Sequence, residues 1–114
     1  MQYNMKMILY HNKNCSKSRE CLSILTKRKL NFKVRDYMKE NLKPNEIKHL
    51  IENFKSDLKE IVRDKKLFNT DDNIDKGELC NHLLEFPKNM QRPIFFNGTN
   101  YFICRPPELV KKFL

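Results

Sequence analysis

Cys15 sits in the stretch His11-Asn12-Lys13-Asn14-Cys15-Ser16-Lys17-Ser18-Arg19, where none of its neighbours is apolar. Four of them, His11, Lys13, Lys17 and Arg19, can carry positive charge. A helical pattern begins at about Ser16, so the thiol stands where a helix starts and not on the buried stripe that follows. A helix N-terminus presents unpaired N–H groups and a partial positive charge. Together with nearby cations these lower a cysteine pKa, to roughly 3.5–7.5 at activated sites. The thiolate is the nucleophile, and the same N–H groups can cradle an oxyanion. The loop therefore offers a nucleophile and an anion cradle in one place. The alternative is an exposed thiol without a role. His11, four residues before Cys15, either supports the thiolate by charge or hydrogen bond, or is a solvent-exposed imidazole. Ser18, three residues after Cys15, makes a C-x-x-S arrangement. It can donate a hydrogen bond toward the sulfur but cannot form a local disulfide.

The elements that must position this loop follow from hydrophobic periodicity. Met7-Ile8-Leu9-Tyr10 is a short apolar run followed by turn formers, the mark of a buried strand. Cys21, Leu22, Leu25 and Leu30 then form a helical stripe, with Ser16 or Ser18 available as a cap. Phe32-x-Val34, followed by Asp36 and Tyr37, predicts a second strand. The opening is thus β-α-β, and the loop between its first two elements is where ligands bind in open α/β sheets. Pro44 suits the first turn of a helix that buries Ile47, Leu50, Ile51 and Phe54. A short helical piece at 57–63 and a third helix at about 76–86, burying Leu79, Leu83 and Leu84, complete a mainly helical segment at about 44–90. Ile94-Phe95-Phe96 and Tyr101-Phe102-Ile103 flank the hairpin signal Asn97-Gly98. Pro106-Pro107-Glu108 starts a last helix that offers Leu109, Val110, Phe113 and Leu114 to the core. The order is β-α-β, helical insert, β-β-α, a mixed sheet of the α/β class, with residues 1–114 as a single domain.

Composition bounds the rest. With 39% hydrophobic and 32% charged residues, the chain has the makeup of an ordinary soluble protein. No apolar run approaches the ~20 residues of a membrane span, and the N-terminal MQYNMKMILYHN lacks a secretory core. The expected location is the cytoplasm. The net charge is +9, but lysine supplies most of it and is interleaved with acids. The densest basic run is Lys27-Arg28-Lys29, and no aromatic-plus-arginine stripe for stacking bases is present. Nucleic acid is therefore not the expected partner. Cys15, Cys21, Cys80 and Cys104 form no C-x-x-C, which excludes a zinc ribbon or a standard dithiol motif. Cys21 and Cys80 fall within helical patterns and suit buried packing.

The stretch from His11 to Arg19 resembles the signature loop of the arsenate reductase family that works with glutathione and glutaredoxin. Arg92-Pro93-Ile94 is similar to that family's "RPI" strand entry, and Arg105-Pro106-Pro107-Glu108 to its "RPPE" helix start. Arg63 falls where the family carries an arginine after the second helix. The resemblance runs from about Met7 to the C-terminus. It implies a thioredoxin-like fold with a cis peptide bond at Pro93. It implies that Cys15 attacks arsenate, that His11 favours the thiolate, and that Arg63, Arg92 and Arg105, with Asn12 and Ser18, bind the oxyanion. Glutathione would be a co-substrate, glutaredoxin would resolve the mixed disulfide, no cofactor would be bound, and the chain would act as a monomer. Planar guanidinium groups suit the paired oxygens of such a dianion, and three of the six arginines hold the implied positions.

Two positions depart from the pattern. Lys13 stands where relatives often have proline, which removes a restraint on the loop. Cys104 stands where many have glycine, and is either a packing residue or a resolving thiol for Cys15. The same fold also serves Spx-like transcription regulators. Those carry a C-x-x-C switch, and Ser18 takes the place of its second thiol here. A thiol reductase with another substrate is the nearer variant.

Overall fold

The computed structural model of the chain describes residues 6–114. Residues 1–5, part of the segment read above as lacking a secretory core, lie outside the described residues. Strand β1 (Met7–His11), helix α1 (Ser16–Lys27) and strand β2 (Phe32–Asp36) form the opening unit. Helix α2 (Pro44–Glu52), a 3-10 turn at Leu58–Ile61, helix α3 (Lys76–Glu85) and a 3-10 turn at Pro87–Asn89 make the helical insert. Strands β3 (Ile94–Phe96) and β4 (Tyr101–Ile103) and a 3-10 helix at Pro107–Phe113 follow. The four strands lie in the order β2-β1-β3-β4. β1 is parallel to β2 and antiparallel to β3, and β3 is antiparallel to β4. This is the mixed sheet and the thioredoxin-like element order expected from the sequence.

Alternation along the strands sends side chains to two cores. Leu9 and Phe95 are register partners. They pack with Cys21 and Leu25 of α1, Cys104, and Val110 of the C-terminal helix. Tyr10, Ile94 and Phe96 face the other way, against Ile47, Leu50 and Ile51 of α2 and Leu79, Cys80 and Leu83 of α3. The basic run at 27–29 is the end of α1. Lys27 lies in its last turn, the Arg28 N–H donates to the Ile24 carbonyl, and Lys29 turns the chain out at φ 56°. Cations there complement the negative end of the helix dipole. Gly98, at φ 102°, supplies the left-handed residue of the β3–β4 turn.

Three sequence expectations change. Phe32-x-Val34 implied that Val34 faces the core, yet it is 41% exposed and Arg35 is 7% exposed. β2 is an edge strand, and its inward position is filled by an ion pair. Arg35 Nε and Nη2 donate to the two Glu46 carboxylate oxygens at 2.9 and 2.8 Å. Nη1 and Nη2 also donate to the Glu40 and Asn41 carbonyls at 2.7 and 2.8 Å. Leu84 is only half-buried, as is Phe54, which lies past the end of α2. The last helix is 3-10, and Leu114 lies past its end and exposed.

The Arg35–Glu46 fork pins α2 to the edge of the sheet. Burial pushes the Glu46 carboxyl up, but the Arg35 hydrogen bonds and the Lys43 N–H hold it below its ordinary value of 4.5. The pair's contribution is therefore full above that value and is lost as pH falls through the lower folded one. Glu46→Ala leaves a buried guanidinium with the Glu40 and Asn41 carbonyls and only the exposed Glu40 carboxylate, 3.5 Å away, as counter-charge. Urea unfolding at pH 7 is expected to show a loss of about 3 kcal/mol, and the acid limb of stability against pH should flatten.

Candidate active site

Cys15 is the N-cap of α1, in extended backbone conformation. Its carbonyl accepts the first helical bond from Arg19, and its N–H donates to the Asn12 carbonyl, both at 3.0 Å. The Asn12 side-chain oxygen accepts from the Asn14 N–H at 2.9 Å. Arg19 reaches back across the turn to the Lys13 carbonyl at 2.8 Å. The loop is thus braced by hydrogen bonds where proline is missing.

His11 and Ser18 take different roles from those the sequence suggested. His11 is 6% exposed and Ser18 is fully buried. His11 Nδ1 and Ser18 Oγ lie 2.6 Å apart, and Ser18 Oγ accepts from the Asn12 N–H at 3.0 Å. Burial, with a smaller contribution from Arg19, lowers the His11 pKa against the opposing charge of Asp36. A neutral, buried imidazole is therefore neither a cation beside the thiolate nor an exposed side chain. Its work is to hold Ser18 and, through it, the start of the loop. The Ser18 hydroxyl is turned to His11, and it is the Ser18 backbone N–H that acts on the sulfur.

The β3–β4 hairpin brings two arginines to the thiol. Ile94 and Ile103 are opposite each other in register, so Arg92 and Arg105 leave the hairpin at the same end. The Cys104 N–H ties the two segments by donating to the Pro93 carbonyl at 3.0 Å. Both arginines precede cis prolines, at Arg92–Pro93 and Arg105–Pro106. Arg105 Nη1 lies 3.8 Å from Cys15 Sγ and donates to the Arg92 carbonyl at 2.9 Å. Arg92 Nη1 donates to the Lys88 carbonyl at 2.8 Å. Burial alone would push the Cys15 thiol up. The Ser18 N–H, the Arg92 guanidinium, the Lys17 N–H and the Arg105 guanidinium reverse this and lower it below 9.0.

Arg63 is placed at the rim. A bridge between Val62 and Met90 and the bonds Arg63 N–H to Asn89 carbonyl and Gln91 N–H to Ile61 carbonyl, at 2.9 and 2.7 Å, set its backbone beside the Arg92 segment. Its side chain is exposed, and lines a cavity of about 460 Å³ with Met38, Phe86 and Lys88. Unlike Arg92 and Arg105, it is not among the groups that lower the Cys15 thiol pKa.

Two residues escaped the sequence reading. Buried Asn89 latches the segments of Arg63 and Arg92 together, bonding Asp64 on both sides at 2.7 and 3.2 Å and meeting His82 Nε2 at 2.8 Å. A polar residue in a Pro-Lys-Asn turn carries no sign of such a role. Tyr37, assigned only to the end of a strand, is buried beside Asn12 and feels the charges of Arg92, Cys15 and Arg63. Of the two roles open to Cys104, packing is the one the structure fits. It is fully buried, and its thiol is held well above the ordinary range by a hydrogen bond to Cys21 and by burial. Among the described residues no cluster of three or more His, Cys, Asp or Glu could hold a metal.

Alkylation of Cys15 by iodoacetamide is expected to titrate with a midpoint below the ordinary thiol value of 9.0. Arg92→Ala and Arg105→Ala should each move that midpoint upward. A wild-type midpoint at or above the ordinary value would refute activation of the thiol.

The comparisons with known proteins agree along the whole chain. The family model described as "ArsC family" matches residues 10–113. An arsenate reductase of Haemophilus influenzae is 32% identical over 96% of this chain and all of its own length. The Escherichia coli protein YfgD, described as uncharacterized, is 30% identical over 90% of this chain and 91% of its own. Among solved structures, an arsenate reductase from Vibrio cholerae superposes with a TM-score of 0.82 at 30% identity, covering 98% of this chain and 100% of that one. With the signature loop, the paired arginines and the sheet order all in place, the chain belongs to the ArsC family.

Proposed function

We propose that this protein reduces arsenate to arsenite, with Cys15 as the nucleophile. The observation that carries the reading is the placement of a half-buried thiol at a helix N-terminus, 3.8 Å from the Arg105 guanidinium and with its pKa lowered by both Arg92 and Arg105. The oxyanion is attracted to the N–H groups of the first turn and to both arginines. The Cys15 sulfur forms a bond to arsenic as one arsenate oxygen leaves as water. A glutathione thiol then attacks the Cys15 sulfur. The S–As bond breaks, its electron pair stays on arsenic, and arsenite departs. The two thiols are oxidised to a mixed disulfide, which a glutaredoxin exchanges with a second glutathione.

An external thiol is the natural reductant for this chain. Ser18 cannot close a local disulfide, and Cys104 faces Cys21 in the core. The same absence of a second thiol in the loop disfavours a C-x-x-C regulatory switch. Arg63, at the rim, would meet the anion as it enters. No described helix is long and apolar enough to cross a membrane. A glutathione-fed cycle belongs in a reducing compartment, which fits the cytoplasm.

The test is NADPH oxidation coupled through glutathione reductase, with arsenate, glutathione and glutaredoxin. Cys15→Ser is expected to abolish arsenate-dependent turnover. Arg105→Ala should lower kcat by roughly 10²–10³, as loss of one oxyanion donor does elsewhere. A wild-type protein that fails to turn over, while its Cys15 still alkylates rapidly at neutral pH, would move the function to another substrate.

A further inference from the structure

A second kind of anion donor stands beside the arginines, and the inference about it rests on the oxyanion reading above. In the parallel pair β1–β2, His11 is opposite Asp36. The next residues, Asn12 and Tyr37, therefore leave the sheet side by side, at the carboxyl ends of the strands. Ligands gather at that edge in open α/β sheets. Tyr37 is 1% exposed. Its hydroxyl has no hydrogen-bond partner, and neither does Arg92 Nε; among the described residues these are the two buried side-chain polar atoms left unpaired.

The two orphans share a neighbourhood. The Tyr37 hydroxyl lies beside the Asn12 amide, whose N–H is near enough to ease the phenol's ionisation but outside hydrogen-bonding geometry, so the hydroxyl proton has no acceptor; it also feels the charges of Arg92, Cys15 and Arg63. Buried polar groups are nearly always paired, so an unpaired one calls for a reason. Two around one nucleophile suggest a shared reason. Both are donors. A guanidinium has N–H donors and no acceptor. Burial pushes the Tyr37 hydroxyl up to about 12, so it is protonated at neutral pH. What is missing is an acceptor, and a tetrahedral oxyanion is acceptor-rich.

We propose that Tyr37 is an oxyanion-binding residue, its hydroxyl donating to one oxygen of the anion while Arg92 Nε–H donates to another. Both donors are closed to solvent in the ligand-free chain, so binding there requires the Asn12–Cys15 loop to yield as the anion enters. Tyr37 then serves as an uncharged, directional donor among guanidinium groups. A tyrosine retained only for packing would leave no trace when its oxygen is removed, because phenylalanine fills the same space.

The experiment is Tyr37→Phe, read in two ways. The first is the concentration of arsenate that protects Cys15 from iodoacetamide. The second is the urea midpoint of the ligand-free protein. The expected result is protection weakened about tenfold or more, the effect of losing a hydrogen bond to a charged group. The urea midpoint should be unchanged or slightly higher, because an unpaired hydroxyl has been removed. Unchanged protection, whatever the urea midpoint does, would overturn the proposal. Phosphate and sulfate are run in parallel as probes of the same shape. If arsenate fails to protect the wild-type thiol but phosphate or sulfate does, the arsenate reading falls while Tyr37→Phe still decides this one. If no anion protects the wild-type thiol, Tyr37 has no oxyanion to hold and the proposal fails as well.

Discussion

Strand β1 cannot slide. It lies inside the sheet, bonded to β2 on one side and β3 on the other. Leu9 and Tyr10 feed two separate cores on opposite faces. A slip of one residue would exchange them and empty both positions at once. That lock fixes His11 at the strand end, and His11 fixes Ser18, Asn12 and the turn that carries Cys15. A second lock, the register of β3 against β4, fixes where Arg92 and Arg105 leave the sheet. The reactive thiol sits where these two registers meet, so its geometry derives from backbone pairing and not from the flexible side chains around it.

Guanidinium groups in this chain divide by what remains for them to bind. Arg35 is saturated, with both carboxylate oxygens of Glu46 and two carbonyls around a buried fork. Such a group holds elements together and has nothing left to offer a ligand. Arg105 spends one nitrogen on a carbonyl and the sulfur, and Arg92 keeps an unpaired Nε. The same side chain therefore serves structure or chemistry according to how many acceptors its neighbourhood supplies. Exposed Arg63 stands outside both groups, at the mouth of the site.

Much of this was legible in the residues. The change from a short apolar run to helical spacing at about Ser16 placed Cys15 at a helix start, and the two Arg-Pro pairs marked the ends of the hairpin. What the sequence concealed depended on burial. Arg35 gave no sign of its burial, because the partner that draws it inward lies eleven residues away on another element. His11 was left between a support for the thiolate and an exposed imidazole, because spacing gives no account of burial or desolvation. The Ser18 hydroxyl was assigned to the sulfur, yet the helix start turns its N–H there and its side chain toward His11. Asn89 gave no signal, since a latch across two segments is a property of the pair and not of either one.

The neighbouring thiols Cys21 and Cys104 are sealed between α1 and the end of the hairpin. Cys80 is buried on the opposite face of the sheet. Cys15 alone is more than marginally exposed. The folded chain thus presents one thiolate to its surroundings, and three more become available only when the two cores open. The number of rapidly labelled cysteines is therefore a gauge of folding as well as of chemistry: one for the intact molecule, four for the opened chain.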